Sequence, residues 1–207
     1  MLYNSQSMRS NKAGFTLVEL LVVTIIISLG LKWSLPGLIR SAKQSEVDNY
    51  TQIVESGLFS LQAKVGKTKS SCEINFGSSN QFKAPWEILE FQQPSGTQAF
   101  LNERISCCNS KEGCVGGPEY RLISREGMQD RNAVEISTSK PFFEISPPGT
   151  SAEASILTIL IRSKSHDLQS LKNKSGKSRL KIRCVEISGS GNISNGTWSE
   201  ESEKCLI

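Results

Sequence analysis

The segment KAGFTLVELLVVTIIISLG, residues 12–30, decides how the rest of the chain is read. It opens on a basic residue and a glycine, Lys12-Ala13-Gly14, and turns at once into an apolar run whose only charge is Glu19. Extended to residue 35, the run comprises 21 residues, charged at Glu19 and Lys32 alone. As a helix it would be roughly 32 Å long, against a bilayer core of about 30 Å. It is long enough to span. Lys32 near the far end can snorkel, and Trp33 beside it suits an interfacial level. Glu19 is the anomaly, because a carboxylate at the centre of a hydrocarbon layer costs about 2.5–3.5 kcal/mol on insertion scales.

Two ordinary readings leave that anomaly standing. A secretory signal peptide would use Arg9 and Lys12 as its positive flank and Ser28-Leu29-Gly30 as its cleavage site. Glu19 inside the apolar region opposes it, as does a helical pattern that continues past the supposed cut. A permanent single-span anchor also leaves the acid unexplained.

A basic leader ending in Gly14, then Phe15-Thr16-Leu17-Val18-Glu19, then an unbroken apolar helix, resembles the class III signal of type IV pilins and type II secretion pseudopilins. The resemblance implies that a prepilin peptidase cuts after Gly14 and methylates the new amine of Phe15. It places Glu19 fifth in the mature chain, as the acid that serves assembly, and Pro36 where many pilins have a helix-kinking proline. Cleavage would leave a cation on Phe15 one turn before Glu19, at a helix end whose dipole favours an acid. The implied partner of Glu19 is the terminal amine of a neighbouring subunit, so the cost of a lipid-buried charge would be recovered on assembly.

Proline removes one hydrogen bond from a helix and crowds the preceding turn, so Pro36-Gly37 should bend the helix without ending it. Beyond it, Ile39, Ala42, Tyr50, Ile53, Val54, Gly57, Leu58, Leu61 and Val65 recur at helical spacing, with Arg40, Lys43, Glu46, Asp48 and Glu55 between them. This second half is amphipathic and should pack on a sheet formed by the residues after it. Past residue 66, strand-like runs at 72–76, 120–124, 133–138, 142–146, 156–161 and 180–187 alternate with Gly/Pro/Ser turns. Pro85 favours a short helix at 85–91. The expected fold is α+β, a long N-terminal helix on an antiparallel sheet. Its parts would be a leader at 1–14, a transmembrane helix at 15–35, an amphipathic helix at 36–66 and an extracytoplasmic β domain at 67–207.

A second resemblance lies further on. Phe142-Phe143-Glu144-Ile145-Ser146-Pro147-Pro148-Gly149, the strand from Ser155 to Ile159, and Arg183-Cys184-Val185-Glu186-Ile187-Ser188-Gly189 with Gly191 look like successive elements of the GspH/FimT class of minor pilins and pseudopilins. It implies a subunit that primes or modifies a fibre, in a type IV pilus or a type II secretion pseudopilus, with other pilin subunits and the inner membrane as partners.

The six cysteines, Cys72, Cys107, Cys108, Cys114, Cys184 and Cys205, all come after the apolar segment. They read as disulfides of an oxidising compartment, with 15 pairings open. The adjacent Cys107 and Cys108 should take different partners. A thiolate metal site around Cys107, Cys108 and Cys114 is the alternative, and the single histidine, His166, gives a Cys/His site little support. His166 lies in a polar stretch and reads as a solvated loop residue. No metal or cofactor is expected, and no nucleotide loop, nucleophile elbow or zincin motif is present in the sequence.

The chain has 24 basic and 20 acidic residues, so its net charge of +4 does not itself call for nucleic acid. A local basic row does exist. Lys172, Lys174, Lys177, Arg179, Lys181 and Arg183 fall within twelve residues, and strand alternation would put Arg179, Lys181 and Arg183 on one face. DNA capture for uptake is therefore the alternative function, set against a lysine-protected sheet edge. DNA-binding members of the resembled class carry arginines after the last glycine, where this chain has Gly191-Asn192-Ile193-Ser194.

Overall fold

The computed structural model describes residues 16–68, 71–77, 79–89, 105–106, 108–109, 113–114, 122–123, 133–151, 155–168, 178 and 180–207. It divides into two compact units, Met1–Ile39 and Arg40–Ile207. One helix, α1 (Leu17–Thr68), begins in the first and ends in the second, and its helical course runs through Pro36.

Within the first unit the apolar side chains of α1 find no cover. Leu17, Ile26 and Leu29 are 81%, 63% and 58% exposed, and every large apolar side chain between them is exposed as well. A helix apolar on all sides is suited to lipid or to other helices, not to water. The segment is apolar and long enough to cross a membrane.

The second unit is built on a different pattern. Val47, Tyr50, Val54, Leu58, Leu61 and Val65, spaced three and four apart, are buried along one stripe of α1. The sequence places the start of this stripe at Ile39 and Ala42, but both are exposed and burial begins at Val47.

Among the described residues behind the helix, every strand pairing is antiparallel. A three-stranded sheet has the order β2-β1-β6, with β1 Cys72–Asn75, β2 Ile105–Ser106 and β6 Phe142–Ile145. A five-stranded sheet has the order β10-β9-β8-β7-β5, from β5 Val134–Thr138, β7 Leu157–Ser163, β8 Arg183–Ile187, β9 Ile193–Ser199 and β10 Lys204–Leu206. A small ribbon pairs β3 (Cys108–Asn109) with β4 (Gly113–Cys114). Alternation decides which side chains enter the core. Leu157, Ile159 and Ile161 of β7 are buried, Thr158, Leu160 and Arg162 are half-buried, and the inner set joins the α1 stripe in one hydrophobic cluster. Burying each such side chain contributes about 1.5–3 kcal/mol.

Most expected strands are present. The runs at 72–76, 133–138, 142–146 and 156–161 correspond to β1, β5, β6 and β7, and Pro85 starts the short helix α2 (Pro85–Ile88). The run at 180–187 becomes strand only from Arg183: the Lys181 amide is diverted to Oε1 of Gln44 on α1 at 2.8 Å, although the Ile182 carbonyl still accepts from the Trp198 amide of β9. The run at 120–124 lies mostly outside the described residues, although Leu122 and Ile123 are buried bends. β10 had no period to announce it, since only its middle residue is even half-buried.

Candidate functional site

The head of α1 is assembled from the residues that the signal reading singles out. The Glu19 amide donates to the Thr16 hydroxyl at 3.2 Å and the Leu20 amide donates to the Thr16 carbonyl at 3.1 Å, so Thr16 caps the helix. Thr-x-x-Glu is the spacing of a capping box, a sequence signal that marks this start as firmly as the apolar run does. Glu19 then sits in the first turn, where the partial positive charge of the helix end favours a carboxylate. Its carboxylate is exposed and has no partner among the described residues. Further along, the Thr24 hydroxyl donates to the Leu21 carbonyl at 2.8 Å and the Ser28 hydroxyl to the Thr24 carbonyl at 2.7 Å. Both polar groups are therefore satisfied within the helix, as an apolar surrounding demands. Gly14 and Phe15 lie outside the described residues.

Three of the cysteines are seen as staples. Cys184 in β8 is bonded to Cys205 in β10, with Cα atoms 5.9 Å apart, and Cys72 at the start of β1 is also disulfide-bonded. Among the described residues no cysteine is free. Cys108 and Cys114 are backbone register partners on the β3–β4 ribbon, and Cys107 lies outside the described residues. No group of three or more metal-ligating side chains occurs among the described residues.

The basic row is not gathered into one face by the described structure. Lys174, Lys177 and Arg179 lie outside the described residues, and Lys181 is exposed ahead of β8. Arg183 turns toward α1. Its Nε donates to Oδ1 of Asp48 at 2.7 Å and its Nη1 to the Thr197 hydroxyl at 2.7 Å. Burial raises the Asp48 pKa, but hydrogen bonds from Arg183 and Gln44, with the charges of Arg183 and Lys181, outweigh it and hold the carboxyl below its ordinary value. The Asp48 hydrogen bond in turn raises the Arg183 pKa against burial. The guanidinium is thus committed to the seam between α1 and the sheet.

His166 corrects an expectation. It is 8% exposed and not solvated, because the turn after β7 folds it back with its amide donating to the Ser163 carbonyl at 2.9 Å. Its Nδ1 lies 3.3 Å from Asp167, which also pairs with Arg162. Arg162 in turn grips Glu135 of β5 at 2.9 Å and stacks over the Phe82 ring at 4.0 Å. Each of these groups is occupied in tying β5, β7 and the 164–167 turn together. Composition could not foretell this burial, since it depends on where a polar turn folds.

Comparison with known proteins adds one sequence finding and one structural one. Residues 9–31 match the family model described as the prokaryotic N-terminal methylation motif. No curated protein matches the chain. Among solved structures, the type IV minor pilin FimU of Pseudomonas aeruginosa aligns at 14% identity with a TM-score of 0.40, over 78% of this chain and 93% of that one. The chain thus carries a prokaryotic N-terminal methylation motif at the head of a long helix whose first part is apolar, and antiparallel sheets follow that helix in sequence.

Proposed function

We propose that the chain is a minor pilin or pseudopilin subunit. Prepilin peptidase removes residues 1–14 and methylates Phe15, α1 holds the product in the inner membrane as a single span, and the subunit then enters a type IV pilus or a type II secretion pseudopilus. Its work is structural, performed through contacts with other pilin subunits. The observation that carries this reading is the pairing of an exposed, predominantly apolar first stretch of α1 with one acid in its first turn that has no partner among the described residues. Lipid accommodates the helix before assembly. Only a cation brought by cleavage and by a neighbouring subunit answers the acid.

Replacing Glu19 by Ala separates processing from assembly. Cleavage after Gly14 is expected to continue, while the amount of subunit recovered in the sheared fibre fraction falls severalfold. Normal recovery would defeat the charge-pairing account. DNA capture by the basic row is the weaker reading, because Arg183 is engaged with Asp48 and Thr197.

A further inference from the structure

The two edges of the five-stranded sheet are finished in different ways. Along β5 the chain itself lies over the edge: Lys83 and Ile136 exchange both backbone hydrogen bonds at 2.8 Å, and the Asn80 amide donates to the Thr138 carbonyl at 2.8 Å. The other edge would be β9, a seven-residue strand, were it not covered by β10. That cover is slight. β10 is three residues long, paired as Lys204 with Ser199, Cys205 with Trp198 and Leu206 with Thr197. Leu206 and Ile207 are 59% and 81% exposed, and the 200–203 turn leading in is exposed throughout. So short a strand, burying so little, has little of its own to hold it in place.

What it does have is a disulfide. Cys184 lies in β8, beyond β9, so the bond crosses over the intervening strand. It crosses at Gly196, the register partner of Cys184. A Cβ on Gly196 would collide with the Leu206 carbonyl and meet Cys205 Sγ at 3.1 Å, so the missing side chain makes room for both β10 and its tether. Cys184 is fully buried and Cys205 is half-buried. An external thiolate therefore reaches Cys205 first.

We propose that the Cys184–Cys205 disulfide is a redox latch that holds β10 over the edge of β9, and that thiol–disulfide exchange at Cys205 uncovers this edge. The co-reactant is a dithiol. Its thiolate attacks Cys205 Sγ, the Cys184–Cys205 bond breaks, and Cys184 leaves as a thiolate that takes up a proton. The second thiol of the reductant then attacks the mixed disulfide, so that Cys205 is released as a thiol and the reductant becomes a disulfide. Two electrons and two protons pass to the protein. Freed of its tether, β10 frays and leaves the backbone groups of β9 open to pairing with another strand. This inference does not depend on the pilin reading.

Hydrogen exchange on the full chain in detergent tests it. The Trp198 amide donates back to the Ile182 carbonyl, so the neighbouring Thr197 and Ser199 amides point toward β10. In the double variant Cys184→Ala, Cys205→Ala, with the Cys72 bond intact, these two amides are expected to exchange about tenfold faster or more, while those of β7 keep their protection. Wild-type protein treated with dithiothreitol gives a second readout, in which exchange of the Thr197 and Ser199 amides rises in step with alkylation of Cys205. Unchanged exchange of these two amides after complete alkylation would overturn the proposal. Equal loss of protection throughout β7 would overturn it too, since the bond would then hold the whole sheet and not one edge.

Discussion

Asp48 and Glu19 are two carboxylates of one helix under opposite conditions. Asp48 is half-buried and held by Arg183, Gln44 and the charge of Lys181, whereas Glu19 is exposed in an apolar segment without a partner among the described residues. For Asp48 the lowered pKa sets the sign of the pH effect. The unfolded chain takes up the proton first as pH falls, so the stabilisation is complete above about pH 4 and disappears as pH drops through the folded value. Arg183 stays charged over this window and adds no acid limb. Asp48→Asn is therefore expected to lower Tm at neutral pH, with the gap to wild type closing below about pH 4. Thermal denaturation of both proteins from pH 7 to pH 2.5 checks this, and a gap that stays constant would contradict it. The 135-residue separation of Asp48 and Arg183 hides this pair from the sequence, while Thr16 and Glu19 are legible because a cap acts across three residues.

Among the elements, α1 was the most legible and the C-terminal edge the least. Residues 17–35 declare themselves by apolar length, and Tyr50, Val54, Leu58, Leu61 and Val65 by helical spacing. The strands β1, β6 and β7 alternate in burial, whereas β5 buries Ile136, Ser137 and Thr138 in succession and declares itself by its β-branched residues instead. β10 could not be read in either way, because a strand held by a disulfide needs no buried face. Close approach is equally silent in sequence. A Cβ at Gly57 would run into the Leu122 carbonyl, so Gly57 is where a loop comes down onto the helix. Gly57→Ala should destabilise the second unit by about 1–3 kcal/mol, the cost of overpacking a filled contact. Urea titration monitored by fluorescence would measure it, and a variant at least as stable as wild type would show that the loop yields freely.

At the scale of the molecule, the two compact units answer to different surroundings. Among the described residues, the large apolar side chains from Leu17 to Leu31 are exposed, and beyond Arg40 the second unit makes its own core between helix and sheet. The fold of the second unit comes from patterning, but the purpose of the first rests on a short signal, 12–19, whose meaning is chemical and not structural. A glycine before an apolar helix matters only if a peptidase cuts there, and Glu19 matters only if a new amine comes to meet it. Mass spectrometry of the mature protein's N-terminal peptide tests this most directly. The account predicts a chain that begins at Phe15 with a methylated amine; a chain that begins elsewhere, or at an unmodified Phe15, would contradict it.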